Sequence, residues 1–190
     1  MMMTVICNDS DGPKIRIFAP QHRKRYMNRA YLLTGGNMGN RTANLQEAID
    51  LISASAGKVV AVSSVYETKA WGKTEQPDFL NQVLVIDTTF SAEDLMDQLT
   101  EIELEMGRRR EEKYGPRKID IDILFYNDAI ISKTNLTIPH PRLHLRNFTL
   151  EPLFELAPHL IHPVLGKTIA QLFSESPDTL NVKKFSAETP

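Results

Sequence analysis

Hydrophobic residues recur in this chain with two periods, and the order in which those periods alternate leaves few folds open. A period of two marks a strand with one buried face; a period near 3.6 marks a helix with one buried stripe. Ala30 to Thr34 reads as a strand that stops at Gly35-Gly36. Asn40 then stands as an N-cap, and Leu45, Ala48, Ile49, Ile52 and Ala56 follow at helical spacing up to Gly57. The β-branched run Val59 to Thr68 reads as a strand, Lys69 to Asp78 as a polar loop, and the alternating Phe79 to Thr88 as a third strand. Ser91 with Asp94 resembles a capping box, and Leu95, Leu99, Ile102 and Met106 mark the stripe of a second helix closed by Gly107. After a charged loop, Lys118 to Tyr126 is a fourth strand. The order β-α-β-β-α-β predicts an α+β, ferredoxin-like arrangement: a four-stranded antiparallel sheet with both helices on one face. A Pro/His-rich loop, a helix over Phe148 to Leu156 and a short one over Thr168 to Phe173 form a C-terminal helical extension. This leaves the other sheet face free to carry a site.

The fourth strand, within "GPRKIDIDILFYND", carries the chemistry. Residues two apart share a face, so Asp120 and Asp122 point the same way, with Cα atoms roughly 6.5–7 Å apart. Ile119, Ile121, Ile123 and Phe125 are expected on the opposite face, against the helices. Two like charges at that range repel, so something positive must sit between them. Paired Asp oxygens suit hard cations such as Mg²⁺, which typically takes one or two carboxylates plus substrate phosphates. The alternative, that the aspartates pair with nearby arginines or lie on a solvated face, stays open on the triplet alone. Upstream, Arg108, Arg109, Arg110, Lys113 and Arg117 supply groups that bind phosphate oxygens, and Gly115-Pro116 sets Arg117 beside the strand. An acidic pair ringed by arginines is equipment for phosphoryl-type transfer. "GGNMGNR" lacks the Gly-Lys-Ser/Thr ending of a P-loop and reads as a tight strand-to-helix turn.

Phe79 and Asn81 share a strand face, where a ring beside an amide can stack on and hydrogen-bond a flat heterocycle. Trp71 either packs as a lid or anchors its loop. His140, in "IPHPRLH", reads as a surface residue.

The totals exclude several classes. With 22 basic and 24 acidic residues the formal net charge is −2, which gives no general attraction to nucleic acid or anionic membranes. Cys7 is the single cysteine, so no internal disulfide or Cys-rich zinc site can form. No apolar run approaches the ~20 residues of a membrane span. A cytoplasmic, monomeric protein is expected, with residues 1–29 an arm that is disordered or adds an edge strand at Lys14 to Ala19, and residues 30–190 one domain.

Four stretches together, "TGGNMGNRTANLQEAI", "YETKAWGKTEQPDFLNQVL", "GRRREEKYGPRKIDIDILFY" and "IPHPRLHLRNFTLEPLFELAP", resemble the 6-hydroxymethyl-7,8-dihydropterin pyrophosphokinases of folate biosynthesis. The resemblance implies transfer of pyrophosphate from ATP to the pterin hydroxymethyl group, leaving AMP. It implies two Mg²⁺ ions held by Asp120 and Asp122, with Arg108 and Arg117 stabilising developing charge and Asp122 a candidate acceptor for the hydroxyl proton. Phe79 and Phe148 would sandwich the pterin, Asn81 would bond its edge, and Thr68 and Trp71 would add contacts. Arg108, Arg110, Arg117, His140 and Arg146 would meet ATP, and Ile123 and Thr137 would shape the adenine pocket. Gly36 stands where the family often has Ser, Ala70 where a proline is common, and Lys113-Tyr114 replaces a frequent Arg-Trp. Two rivals remain: a two-metal phosphodiesterase using the same aspartates, and a non-catalytic sheet that binds RNA through exposed aromatics.

Overall fold

The computed structural model describes residues 5–9, 12–16, 27–70, 75–108 and 115–186, the first two segments by their backbone alone. Strands β1 (Val5–Asp9) and β2 (Gly12–Arg16) pair with each other as an antiparallel hairpin. β3 (Asn28–Gly36) leads into α1 (Arg41–Ser55), where Asn40 Oδ1 accepts from Ala43 N and starts the helix as its N-cap. β4 (Lys58–Val62) and β5 (Tyr66–Thr68) follow, then β6 (Phe79–Thr88). α2 (Ala92–Glu105) is capped by Ser91, whose Oγ accepts from Asp94 N. β7 (Asp120–Tyr126), the hairpin β8 (Ile131–Lys133) and β9 (Leu136–Ile138), α3 (Asn147–Leu156), α4 (Ile169–Ser174) and β10 (Val182–Lys184) complete the chain.

The main sheet runs β10-β5-β6-β3-β7, with β4 also on β6, and every pairing is antiparallel. This is the ferredoxin-like order, with β4 and β5 together filling the place of one strand. Val59 to Thr68 is therefore not continuous. Ser63 interrupts it: its N–H donates to Val83 O and its Oγ accepts from Val83 N, so one residue holds both bonds while an extra residue enters the strand.

The face carrying α1 and α2 holds the larger core. Leu45, Ala48, Ile52, Leu95, Leu99, Ile102 and Met106 from the helices meet Leu32, Leu80, Leu84, Ile119, Ile121 and Ile123 from the strands. At ~25 cal/mol per Å² of apolar surface removed from water, this layer is the main source of stability. The second face is not free. α3 and α4 cover half of it, packing Leu150, Leu153, Ile169 and Leu172 onto Leu33, Val83, Leu124 and Phe125. Phe125 thus lies on the face opposite to the one its alternation predicts. The reason is a register shift against β3: Leu32 pairs with Ile123 but Tyr31 pairs with Phe125. That bulge turns Phe125 over, where its ring meets Tyr31 edge-on at 6.1 Å. Among the described residues, what remains open on this face is its end around Gly35, and the site is there.

Candidate active site

Strand register brings the site residues into rows. Gly35 pairs with Asp120 on one side and Asn81 on the other; one step along, Leu33 pairs with Asp122 and Val83; at the edge Thr68 pairs with Phe79. Directly paired residues share a face. A cavity of about 150 Å³ opens there, lined by Thr68, Phe79, Asn81, Arg117, Asp120, Asp122, Arg146 and Phe148, all of them expected site residues. Leu33, Gly35, Lys69 and Gln76 complete the lining and were not singled out by their sequence context. Gly35 is needed as glycine: a Cβ there would lie 2.4 Å from Asn81 Oδ1. At Gly36 a Cβ would lie 2.2 Å from Lys118 O, so glycine lets the 117–118 backbone approach β3.

The acidic pair sits in a positive frame. Arg108 Nη2 lies 2.7 Å from Asp120 Oδ1, and Arg117 Nε 3.3 Å from Asp120 Oδ2. Arg108 also donates to Glu103, a carboxylate only 3% exposed whose other oxygen accepts from Ile121 N at 2.7 Å. Glu103 thus fastens the end of α2 to the strand between the two aspartates. Sequence reading missed it, although Glu103 stands four residues after Leu99 on the buried stripe, where an acid is out of place. Burial pushes the Glu103 carboxyl up to about 7, against the pull of Arg108. Burial, then the charge of Asp120, push the Asp122 carboxyl up to about 6, opposed by Arg146, Arg108 and Arg117. Arg108 loses some charge preference to burial, but the charges of Asp120 and Glu103 outweigh this and raise its pKa.

Opposite the acids, each ring carries a guanidinium. Arg117 Cζ is 5.2 Å from the Phe79 centroid and Arg146 Cζ 5.5 Å from that of Phe148. Both rings therefore already hold a flat, delocalised group against a face. Asn81, 5% exposed, donates from Nδ2 to Thr68 Oγ1 at 3.2 Å, which fixes the amide's orientation. Asn37 ties the approach loops together: its Nδ2 donates to Pro77 O at 3.0 Å and Gln76 Oε1 at 3.2 Å, and its Oδ1 accepts from Arg117 N at 2.9 Å.

The other expected residues stand apart from the cavity lining. Ile123 is buried in the helix-side core, and Thr137 is exposed on β9, paired with Ser132. His140 is half-buried rather than a surface residue; its N–H donates to Leu124 O, and burial, followed by Arg146 and Arg142, lowers its pKa to about 4. Trp71 and Arg110, with Arg109 and Lys113, lie outside the described residues.

A hard cation fits this donor set, which offers two carboxylates and no nitrogen or sulfur ligand, and in which burial, then the neighbouring Asp120 charge, already lifts Asp122. Among the described residues no third His, Cys, Asp or Glu joins them as a ligand.

A family model described as 7,8-dihydro-6-hydroxymethylpterin-pyrophosphokinase (HPPK) matches residues 31–158. The 2-amino-4-hydroxy-6-hydroxymethyldihydropteridine pyrophosphokinase of Aquifex aeolicus is 39% identical over 146 residues, covering 77% of this chain and 91% of that one. The enzyme of the same name from Methylorubrum extorquens is 41% identical, covering 78% and 94%. The folic acid synthesis protein fol1 of Pneumocystis carinii is 40% identical, but the match spans 20% of its length. Among solved structures, wild-type Plasmodium falciparum HPPK-DHPS with pterin and p-hydroxybenzoate superposes with a TM-score of 0.65 at 20% identity. That match covers 78% of this chain and 42% of that one, and it speaks for the fold. The chain belongs to the 7,8-dihydro-6-hydroxymethylpterin-pyrophosphokinase family.

Proposed function

We propose that this cavity transfers pyrophosphate from ATP to 6-hydroxymethyl-7,8-dihydropterin, releasing AMP, with Asp120 and Asp122 on the phosphate side and Phe79, Asn81 and Phe148 on the pterin side. Membership of the family supports the reaction as a step of folate biosynthesis. The observation that carries the assignment of residues is the single row Asp120–Gly35–Asn81. It sets one aspartate and a hydrogen-bonding amide on one face across a residue with no side chain, with Asp122 on the same face in the next row.

Phe79 and Phe148 bind the bicyclic ring by stacking, and the Asn81 amide, oriented by Thr68, bonds its edge. For the ring to enter, Arg117 and Arg146 leave the aromatic faces and turn to the phosphate oxygens, which guanidinium forks bind bidentately. Asp120 and Asp122 would hold the metal, two Mg²⁺ ions in this reading, which would supply neutralisation of phosphate charge and activation of the acceptor hydroxyl. Arg108, fixed by Glu103, presents its charge beside Asp120 toward the phosphates. Attack by the hydroxyl on the β-phosphorus breaks the bond to the α-phosphate oxygen, and AMP departs with Arg108 and Arg117 stabilising the charge left behind. Asp122 is the candidate acceptor for the hydroxyl proton in this reading, although a carboxylate that ligates a metal is a poor base. Arg110, Trp71, His140 and Thr137 complete the nucleotide and pterin contacts in this reading, with Ile123, whose side chain is buried in the helix-side core, contributing by its main chain alone.

No described helix is long and apolar enough to cross a membrane, and a cytoplasmic monomer acting on these two small substrates, without nucleic acid, is the organisation we propose. The test is a coupled AMP-release assay with and without the pterin and with and without Mg²⁺. Release that requires both supports the assignment, and hydrolysis of phosphodiesters without pterin would support the phosphodiesterase alternative instead.

A further inference from the structure

The segment 69–78 leaves β5 at Thr68 and returns to β6 at Phe79, and both of these residues line the cavity. The β5–β6 ladder ends at that pair, so main-chain bonding between these strands stops at the residues that must meet the acceptor. A side chain from another element spans the gap. Arg41, the first residue of α1, donates from Nη1 to Glu67 Oε1 at 2.7 Å and to Asp78 O at 2.7 Å. Glu67 lies one pair inside the end of the ladder, opposite Leu80, and Asp78 one residue beyond it, so the guanidinium clamps the chain entering β6 against β5 across the Thr68–Phe79 pair. The guanidinium stands 5.8 Å from the ring of Phe185, a residue whose main-chain N–H donates to Val65 O at 2.8 Å just beyond the β10–β5 ladder. Arg41 therefore joins α1, both stems of segment 69–78 and the C-terminal strand.

We propose that Arg41 is a positioning residue for the acceptor: a staple that sets the spacing between Thr68 and Phe79 and so the fit of the pterin between ring and amide. This rests on the assignment of the cavity's pterin side made above. A purely stabilising role fits the geometry less well. The ion pair is 25% and 32% exposed, so solvent still screens it and keeps its contribution to folding modest. Its second bond goes to the main-chain carbonyl of Asp78, the residue before the cavity-lining Phe79, where small displacements of a contact residue change substrate recognition far more than stability.

The test is steady-state AMP release by the full chain, with each substrate varied at saturating levels of the other, beside thermal unfolding. For Arg41→Ala the KM for the hydroxymethyldihydropterin rises roughly tenfold while the KM for ATP stays within about twofold and Tm within about 3 °C. Arg41→Lys, which keeps the charge and a single nitrogen donor on a shorter stem, recovers part of the loss. Glu67→Gln gives a smaller rise of the same kind, and it carries the test if Arg41→Ala does not fold. An unchanged pterin KM in both Arg41→Ala and Glu67→Gln, or equal rises in both KM values together with a large drop in Tm, would overturn the staple. Wild-type protein without pterin-dependent AMP release would instead overturn the assignment of the cavity, and the staple with it.

Discussion

Gly35→Ala places a single methyl group at the centre of the row on which the site is built. It would stand 2.4 Å from Asn81 Oδ1 and 3.2 Å from Leu80 O, a main-chain atom of the neighbouring strand. Carbon and oxygen settle at about 3.3–3.6 Å, so the amide must retreat by about 1 Å. Its bond to Thr68 Oγ1, 3.2 Å long, then breaks, and the amide turns away from the edge of the pterin. A lost buried hydrogen bond costs about 1 kcal/mol and crowding about 1–3 kcal/mol, offset by up to about 1 kcal/mol from restricting the unfolded glycine. The net loss of about 2 kcal/mol lowers Tm by about 4–8 °C in a domain of this size. Pterin affinity falls further, by about 10- to 100-fold, because one or two hydrogen bonds of ~1–1.5 kcal/mol go missing. Titration calorimetry of the pterin in the presence of a non-hydrolysable ATP analogue measures this directly. Gly166→Ala is the control: its φ of 65° strains a side chain, nothing lies within 4 Å, and it sits outside the cavity lining, so Tm falls and pterin binding does not. A Gly35→Ala protein that binds pterin within twofold of wild type would refute the reasoning.

The Asp122 carboxyl, pushed up to about 6, is protonated as pH falls below that value, and protons then compete with the cation. The Mg²⁺ concentration for half-maximal velocity is expected to rise about tenfold per pH unit below 6 and to stay level above 7, which titrations at pH 5, 6 and 7.5 would check. Glu103→Ala strands Ile121 N–H and leaves Arg108 to Asp120 alone; urea unfolding should show a loss of about 3 kcal/mol, and equal stability would contradict the fastening role.

Much of the fold was legible because local and global signals agree. Asn40 and Ser91 cap where their spacing says, and Leu95, Leu99, Ile102 and Met106 are all buried. Asp120 and Asp122 share a face because the alternation of β7 holds as far as Ile123. It fails at Phe125, since a bulge is a matter of pairing with β3 and leaves no mark in a strand's own sequence. The break at Ser63 is hidden in the same way: Ser63 supplies side-chain and main-chain bonds to Val83, a partner 20 residues away. Coverage of the second face by α3 and α4 also escaped notice, because an apolar helix shows that it packs but not on what. In the site, charge pattern revealed the aspartates and arginines. Asn37 and Arg41 stayed hidden in a turn whose glycines explain it well enough alone, and their roles emerge only from the carbonyls of Pro77 and Asp78 that the fold brings beside them.

The most direct measurement compares Asp120→Ala and Asp122→Ala with wild type in two readouts, pterin-dependent AMP release in Mg²⁺ and pterin affinity by calorimetry. The account predicts that turnover nearly vanishes in both variants while pterin still binds between Phe79 and Phe148. Either variant turning over at the wild-type rate in Mg²⁺ would contradict it.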